Sequence, residues 1–107
     1  MTARWSLSER AGADLLAIAR YTIEEYGAEQ AELYRDGLIA ALERIADFPR
    51  MARERTEIDP PVRVQPYRSH LIVYQISPDD RLHILRFAHS REDWAGEREV
   101  TENGDFA

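Results

Sequence analysis

Apolar positions along the first half of the chain recur every three or four residues, whereas in the second half they gather in short dense runs. Ala11, Leu15, Ile18, Ala19, Thr22 and Tyr26 fall on one stripe of an amphipathic helix. Ser8 is placed to cap its start, and Glu9 lies in the first turn, where the helix dipole favours an acid. Gly27 ends it as a residue able to adopt positive φ. A second stripe, Ala31, Tyr34, Leu38, Ala41, Leu42, Ile45 and Phe48, predicts a helix from about Ala28 to Asp47, which Pro49 stops. Two long helices joined at one glycine form an antiparallel helical hairpin. Ahead of them, residues 3–7 alternate enough for a short strand with Trp5 as its core contact.

Residues 49–61 hold three prolines and little periodicity, and read as a loop crossing from helix to sheet. Val62-Arg-Val64 predicts a short strand cut off before Pro66. The densest runs, residues 70–76 and 81–88, flank Ser77-Pro-Asp-Asp80, the pattern of a β-hairpin. With Ile76 opposite Arg81, one face carries His70, Ile72, Tyr74, His83, Leu85 and Phe87. The other carries Leu71, Val73, Leu82, Ile84, Arg86 and Ala88; a slip of one residue would exchange one strand's two sets. The fold class is therefore α+β: a strand, a two-helix hairpin, then a three-stranded antiparallel sheet. Two helices cover one face, so Leu71, Val73, Leu82 and Ile84, with Val62 and Val64, are expected on an open apolar face that a partner covers.

Composition adds three constraints. A length of 107 residues fits one modest core, assigned to residues 1–94, with an acidic, apolar-poor tail at 95–107. No run approaches the ~20 apolar residues of a membrane span, and the start lacks a signal-peptide pattern; with zero cysteines this fits a cytoplasmic protein. The net charge of −6 is uneven. Residues 1–43 hold four arginines against eight acids, residues 44–91 nine against six, and residues 92–107 one against six. A basic sheet half inside an acidic protein suits an acidic partner better than sequence-specific nucleic-acid binding.

Catalytic signatures are sparse. The five glycines are scattered, so no phosphate loop exists. His70, His83 and His89 read as packed, hydrogen-bonded residues at the sheet margin, and no metal site or cofactor is expected. Ser69, His89 and Asp93 can be assembled into a triad on paper, but no nucleophile elbow supports one. Arg63, Arg68, Arg86 and Arg91 are either paired surface charges or an anion-recognising patch beside the open face. Trp94 reads as an anchor at the end of the sheet.

Several of these stretches together resemble one family. Leu7-Ser8 with Ala13-Asp14-Leu15, the run Ala41-Leu-Glu-Arg-Ile-Ala-Asp-Phe-Pro49, His70-Leu-Ile-Val-Tyr74, Ile84-Leu-Arg-Phe-Ala-His89, Ser90-Arg91 and Asp93-Trp94 are similar to the ParE toxins of the ParE/RelE superfamily. Where that family has Gly-Arg after the second helix, this chain has Ala52-Arg53. The resemblance, over about residues 5–94, implies the RelE/ParE-like fold and the toxic half of a type II toxin–antitoxin module of the plasmid-stabilising kind. It implies a non-enzymatic toxin that binds DNA gyrase and is neutralised by a ParD-like antitoxin with a disordered acidic segment. Antitoxin contacts are then expected at Val62, Val64, Leu71, Val73, Ile84 and Arg86, and target or anion contacts at Arg63, Arg68, Arg91 and Trp94. The alternative within the superfamily is a ribosome-dependent endoribonuclease of the RelE type, using Arg91, Arg86 and a histidine. No tyrosine follows Tyr74, and the sheet positions that are basic in that branch are Val62, Val64 and Leu71 here, which leaves it without a suitable acid or base.

Overall fold

The computed structural model describes residues 4–95. The elements run β1 (Trp5–Leu7), α1 (Glu9–Tyr26), α2 (Ala28–Asp47), β2 (Glu54–Arg55), β3 (Val62–Tyr67), β4 (His70–Ile76) and β5 (Leu82–His89). The fold is α+β, with one five-stranded mixed sheet in the order β1-β5-β4-β3-β2. The sheet is larger than the sequence predicts. β1 joins it in parallel alongside β5, and a two-residue strand, β2, forms inside the expected loop and pairs with Arg63 and Val62. The acidic tail expected at 95–107 lies, past Ala95, outside the described residues.

Both helices follow their local signals. The Ser8 hydroxyl oxygen accepts from the Ala11 N–H (3.0 Å) and its O–H donates to the Leu85 carbonyl (2.9 Å), so one side chain caps α1 and ties it to β5. Gly27, at φ 95°, makes the turn between the helices, a conformation that favours glycine. Phe48, expected on the buried stripe of α2, lies past its end and is mostly exposed, as is Tyr26 at the end of α1.

The hairpin departs most from expectation. Its loop is five residues long, not four, because Ile76 pairs with Leu82. Ser77 closes it: its N–H and O–H both donate to the Arg81 carbonyl (2.8 Å each), while Asp80 takes φ 65°. That one-residue slip turns Leu82 and Ile84 towards the helices, where both are fully buried with Ile72, Tyr74, Phe87, Leu38 and Leu42. A register shift opposite Val73/Tyr74 then restores the alternation, so that Phe87 faces the helices and Ala88 faces away.

The far face of the sheet is not bare either. Val62, Val64, Val73 and Ala88 are buried in a second cluster with Ile58 from the crossing segment and Trp94 from beyond β5. Leu71, Leu85 and Ala95 pack on its margin. The open apolar face inferred from counting helices is therefore corrected: Ile58 and Trp94 help to close it, and Leu82 and Ile84 do not belong to it.

Candidate functional site

The sequence-predicted site residues separate into five places. Val62, Val64 and Val73 lie in the second cluster, with Leu71 half-buried at its edge. Trp94 is buried there as an anchor, 6% exposed, which leaves little ring for a partner. Ile84 sits in the other cluster, beneath the helices, fully buried; it cannot touch an antitoxin on the far face.

Arg86 is also corrected. Its Nε donates to Asp14 Oδ2 (2.9 Å) and one terminal nitrogen to Glu92 Oε2 (2.9 Å), with its side chain only 12% exposed. Asp14 additionally accepts the Phe87 backbone N–H (2.9 Å), and Glu92 the His89 N–H (3.2 Å). The arginine thus bolts α1 to both ends of the β5 exit. Burial opposes its charge, but the two carboxylates outweigh that and raise its pKa. For Glu92, burial pushes the carboxyl up, while the bonds from Arg86 and His89 hold it below its ordinary value.

The remaining arginines do not form one patch. Arg63 is paired with Tyr74 and donates to the Ala52 carbonyl, so it pins the crossing segment at one end of the sheet. Arg68 lies five residues further along, at the opposite end, roughly 16 Å away at the rise of an extended strand. There the Ser90 N–H donates to the Ser69 carbonyl (2.9 Å), which joins the β3–β4 turn to the segment after β5. Arg68 and Arg91 are both exposed on these neighbouring segments.

That end of the sheet opens into a groove of about 1000 Å³ between the helical hairpin and the β3–β4 turn. Tyr21, Tyr26 and Leu33 form its outer wall, each more than half exposed. A chain of edge-to-face rings runs along its floor, from Tyr67 to Tyr34 (5.4 Å), to His70 (5.6 Å) and to His89 (5.5 Å). The Tyr34 hydroxyl and His70 Nδ1 are hydrogen-bonded at 2.7 Å. Burial, and then the neighbouring His89, lower the His70 pKa, so its ring is neutral near pH 7. Gly37 makes the floor possible, because a Cβ there would collide with the Tyr67 ring.

Sequence reasoning missed this groove. Tyr21 and Leu33 fall off the predicted stripes, and large apolar residues off the buried stripe are the available signal. A mid-helix glycine opposite an aromatic is the second. Neither reveals by itself that α2 and the β3–β4 turn converge.

Among the described residues no group of three or more histidines and carboxylates is arranged to hold a metal ion. No helix there is long and apolar enough to cross a membrane.

Comparison with known proteins places this geometry. The family of ParE toxins of the type II toxin–antitoxin system parDE matches residues 6–94. The chain is 34% identical over 93 residues to Toxin ParE1 of Mycobacterium tuberculosis, covering 87% of this chain and 95% of that protein. It is 34% identical over 85 residues to Toxin ParE1 of Caulobacter vibrioides, covering 79% and 86%. A chain from the chromosomal ParDE system of P. aeruginosa shares the fold, with TM-score 0.68, 18% identity, and coverage of 79% of this chain and 92% of that one. The chain belongs to the ParE toxin family of type II toxin–antitoxin systems.

Proposed function

We propose that this protein is a cytoplasmic, non-enzymatic toxin that inhibits DNA gyrase by binding it, and that a ParD-like antitoxin holds it inactive. Family membership supports the toxin role. The groove beside the helical hairpin supports recognition by another chain: Tyr21, Tyr26 and Leu33 leave an apolar wall in water, and Arg68 stands at its end. An amphipathic, acidic antitoxin segment satisfies both, burying the wall and pairing with the guanidinium. Antitoxin contact at Val62, Val64, Leu71 and Val73 is retained in this reading on changed terms. Leu71 is reachable at the margin, while the three valines become reachable only where Ile58 and Trp94 are lifted.

The structure gives the endoribonuclease reading less to work with. Arg86, one of its residues, is held by Asp14 and Glu92 and is not available to a phosphate. Target contact is assigned to Arg68 and Arg91, which are exposed, with Arg63 and Trp94 at most peripheral to it.

The test is supercoiling by purified gyrase with the toxin added. Loss of supercoiling with accumulation of cleaved DNA, reversed by the antitoxin encoded beside it, is the expected result. Uninhibited gyrase at toxin excess, together with codon-positioned messenger cuts in expressing cells, would overturn the proposal.

A further inference from the structure

The β3–β4 turn holds an arginine where the backbone favours a glycine. Tyr67 and His70 are paired, so Arg68 and Ser69 alone make the turn, and Arg68 takes φ 53°. In a two-residue hairpin loop this left-handed conformation is normally supplied by glycine, asparagine or aspartate. A long side chain there costs conformational stability, and such costs gather at functional sites. The guanidinium lies 5.7 Å over the Tyr67 ring, its Nε donates to the Tyr67 hydroxyl (3.4 Å), and it has no carboxylate partner among the described residues.

Three more polar side chains line the same end. The Ser69 hydroxyl is one, already bonded to the Tyr34 phenol. His89 Nδ1 accepts the Arg91 backbone N–H (3.1 Å), so in the neutral ring the proton is on Nε2, which is left as a donor. His70 lies 5.5 Å from His89, behind it. Asp14 and Glu92 also line the groove, but both carboxylates are engaged by Arg86 at 2.9 Å. The two carboxylates of the groove are thus spent on Arg86, while the remaining guanidinium N–H groups of Arg68 and Nε2 of His89 are left to meet an anion.

The rest of the lining specifies what such an anion is attached to. Tyr21 and Tyr26, ring centroids 6.5 Å apart, present exposed aromatic surface in the same groove. Aromatic faces beside a guanidinium are how bases and phosphates are bound together. The chain's net charge of −6 disfavours a long polyanion and is tolerated by a small one. We propose that the groove binds a mononucleotide, with its phosphate at Arg68 and His89 and its base against Tyr21 and Tyr26. This does not depend on the toxin reading, because the site is complete on the free chain.

The experiment titrates the full chain, without antitoxin or gyrase, with AMP, adenosine and inorganic phosphate, following the histidine imidazole resonances. AMP is expected to shift His89 and His70 and to bind roughly tenfold tighter than either fragment. Arg68→Gln is expected to weaken AMP about tenfold, and Tyr21→Ser a few-fold without changing phosphate binding. Both positions are exposed, so circular dichroism should be unchanged; Arg68→Gly, which relieves the turn while removing the guanidinium, must lose AMP as Arg68→Gln does. The proposal is overturned by absence of AMP binding at millimolar concentration, by equal binding of AMP and phosphate, by Arg68→Gln binding like the parent, or by an eight-nucleotide RNA binding far tighter than AMP.

Discussion

The two faces of the sheet are covered in different ways. On the helix side, Ile72, Tyr74, Leu82, Ile84 and Phe87 meet a continuous layer of α1 and α2 side chains, and no solvent reaches Ile72 or Ile84. On the far side, among the described residues, Val62, Val64, Val73 and Ala88 meet Ile58 from the crossing segment and Trp94 from the helical turn after β5. A helix layer is held by many contacts at once. A cover made of single residues can be removed locally, and local opening costs less than global unfolding. Counting helices therefore predicts which face is rigidly covered and does not predict which face is exposed.

The largest effect should come from the rigid side. Ile84→Ala is expected to cost about 3 kcal/mol in urea unfolding, whereas Leu71→Ala, at the margin of the other face, should cost under about 1 kcal/mol. Equal costs would erase the distinction between the faces.

Asp14→Ala tests the bolt between them. It leaves Arg86 buried without its main partner, and a loss of about 3 kcal/mol is expected. Replacing both Asp14 and Arg86 by apolar residues should recover much of that loss, since the pair's burial is itself unfavourable.

Gly37→Ala acts at the groove. Its new methyl forces the Tyr67 ring to move, at a cost of roughly 1–3 kcal/mol. A displaced Tyr67 should also alter the His70 resonance through Tyr34, whereas a pure helix-propensity gain would stabilise the protein and leave His70 untouched.

The smallest effect is pH dependence. The Glu92 carboxyl has a folded pKa below its unfolded one, so its contribution is present at neutral pH and lost as pH falls through the folded value. The urea midpoint should drop on acidification below about pH 5, and Glu92→Gln should flatten that part of the curve. His70, whose pKa is also lowered, contributes in the same direction as pH falls below about 6.5.

Much of the fold is legible in the residues. Ser8, Glu9, Gly27 and Pro49 set the limits of both helices by local chemistry, and the structure places α1 and α2 at those limits. The family is equally legible, because its marks are short runs of residues that fold in place. The faces of β5 are not. One extra residue in the Ser77–Arg81 loop exchanges the sides of Leu82 and Ile84, and a loop's length follows from hydrogen bonds that exist only after it closes.

Capping, periodicity and turn chemistry act over a few neighbouring residues, and they suffice for both helices, four of the five strands, the order of those elements and the family; β2 they do not reveal. Only the tertiary structure decided that Arg86 is a bolt, that Ile58 and Trp94 help close the far face, and that Tyr34, Tyr67 and His70 line one groove. Those pairings join residues up to 72 positions apart, as Asp14 and Arg86 are, and no local pattern encodes contact at that separation.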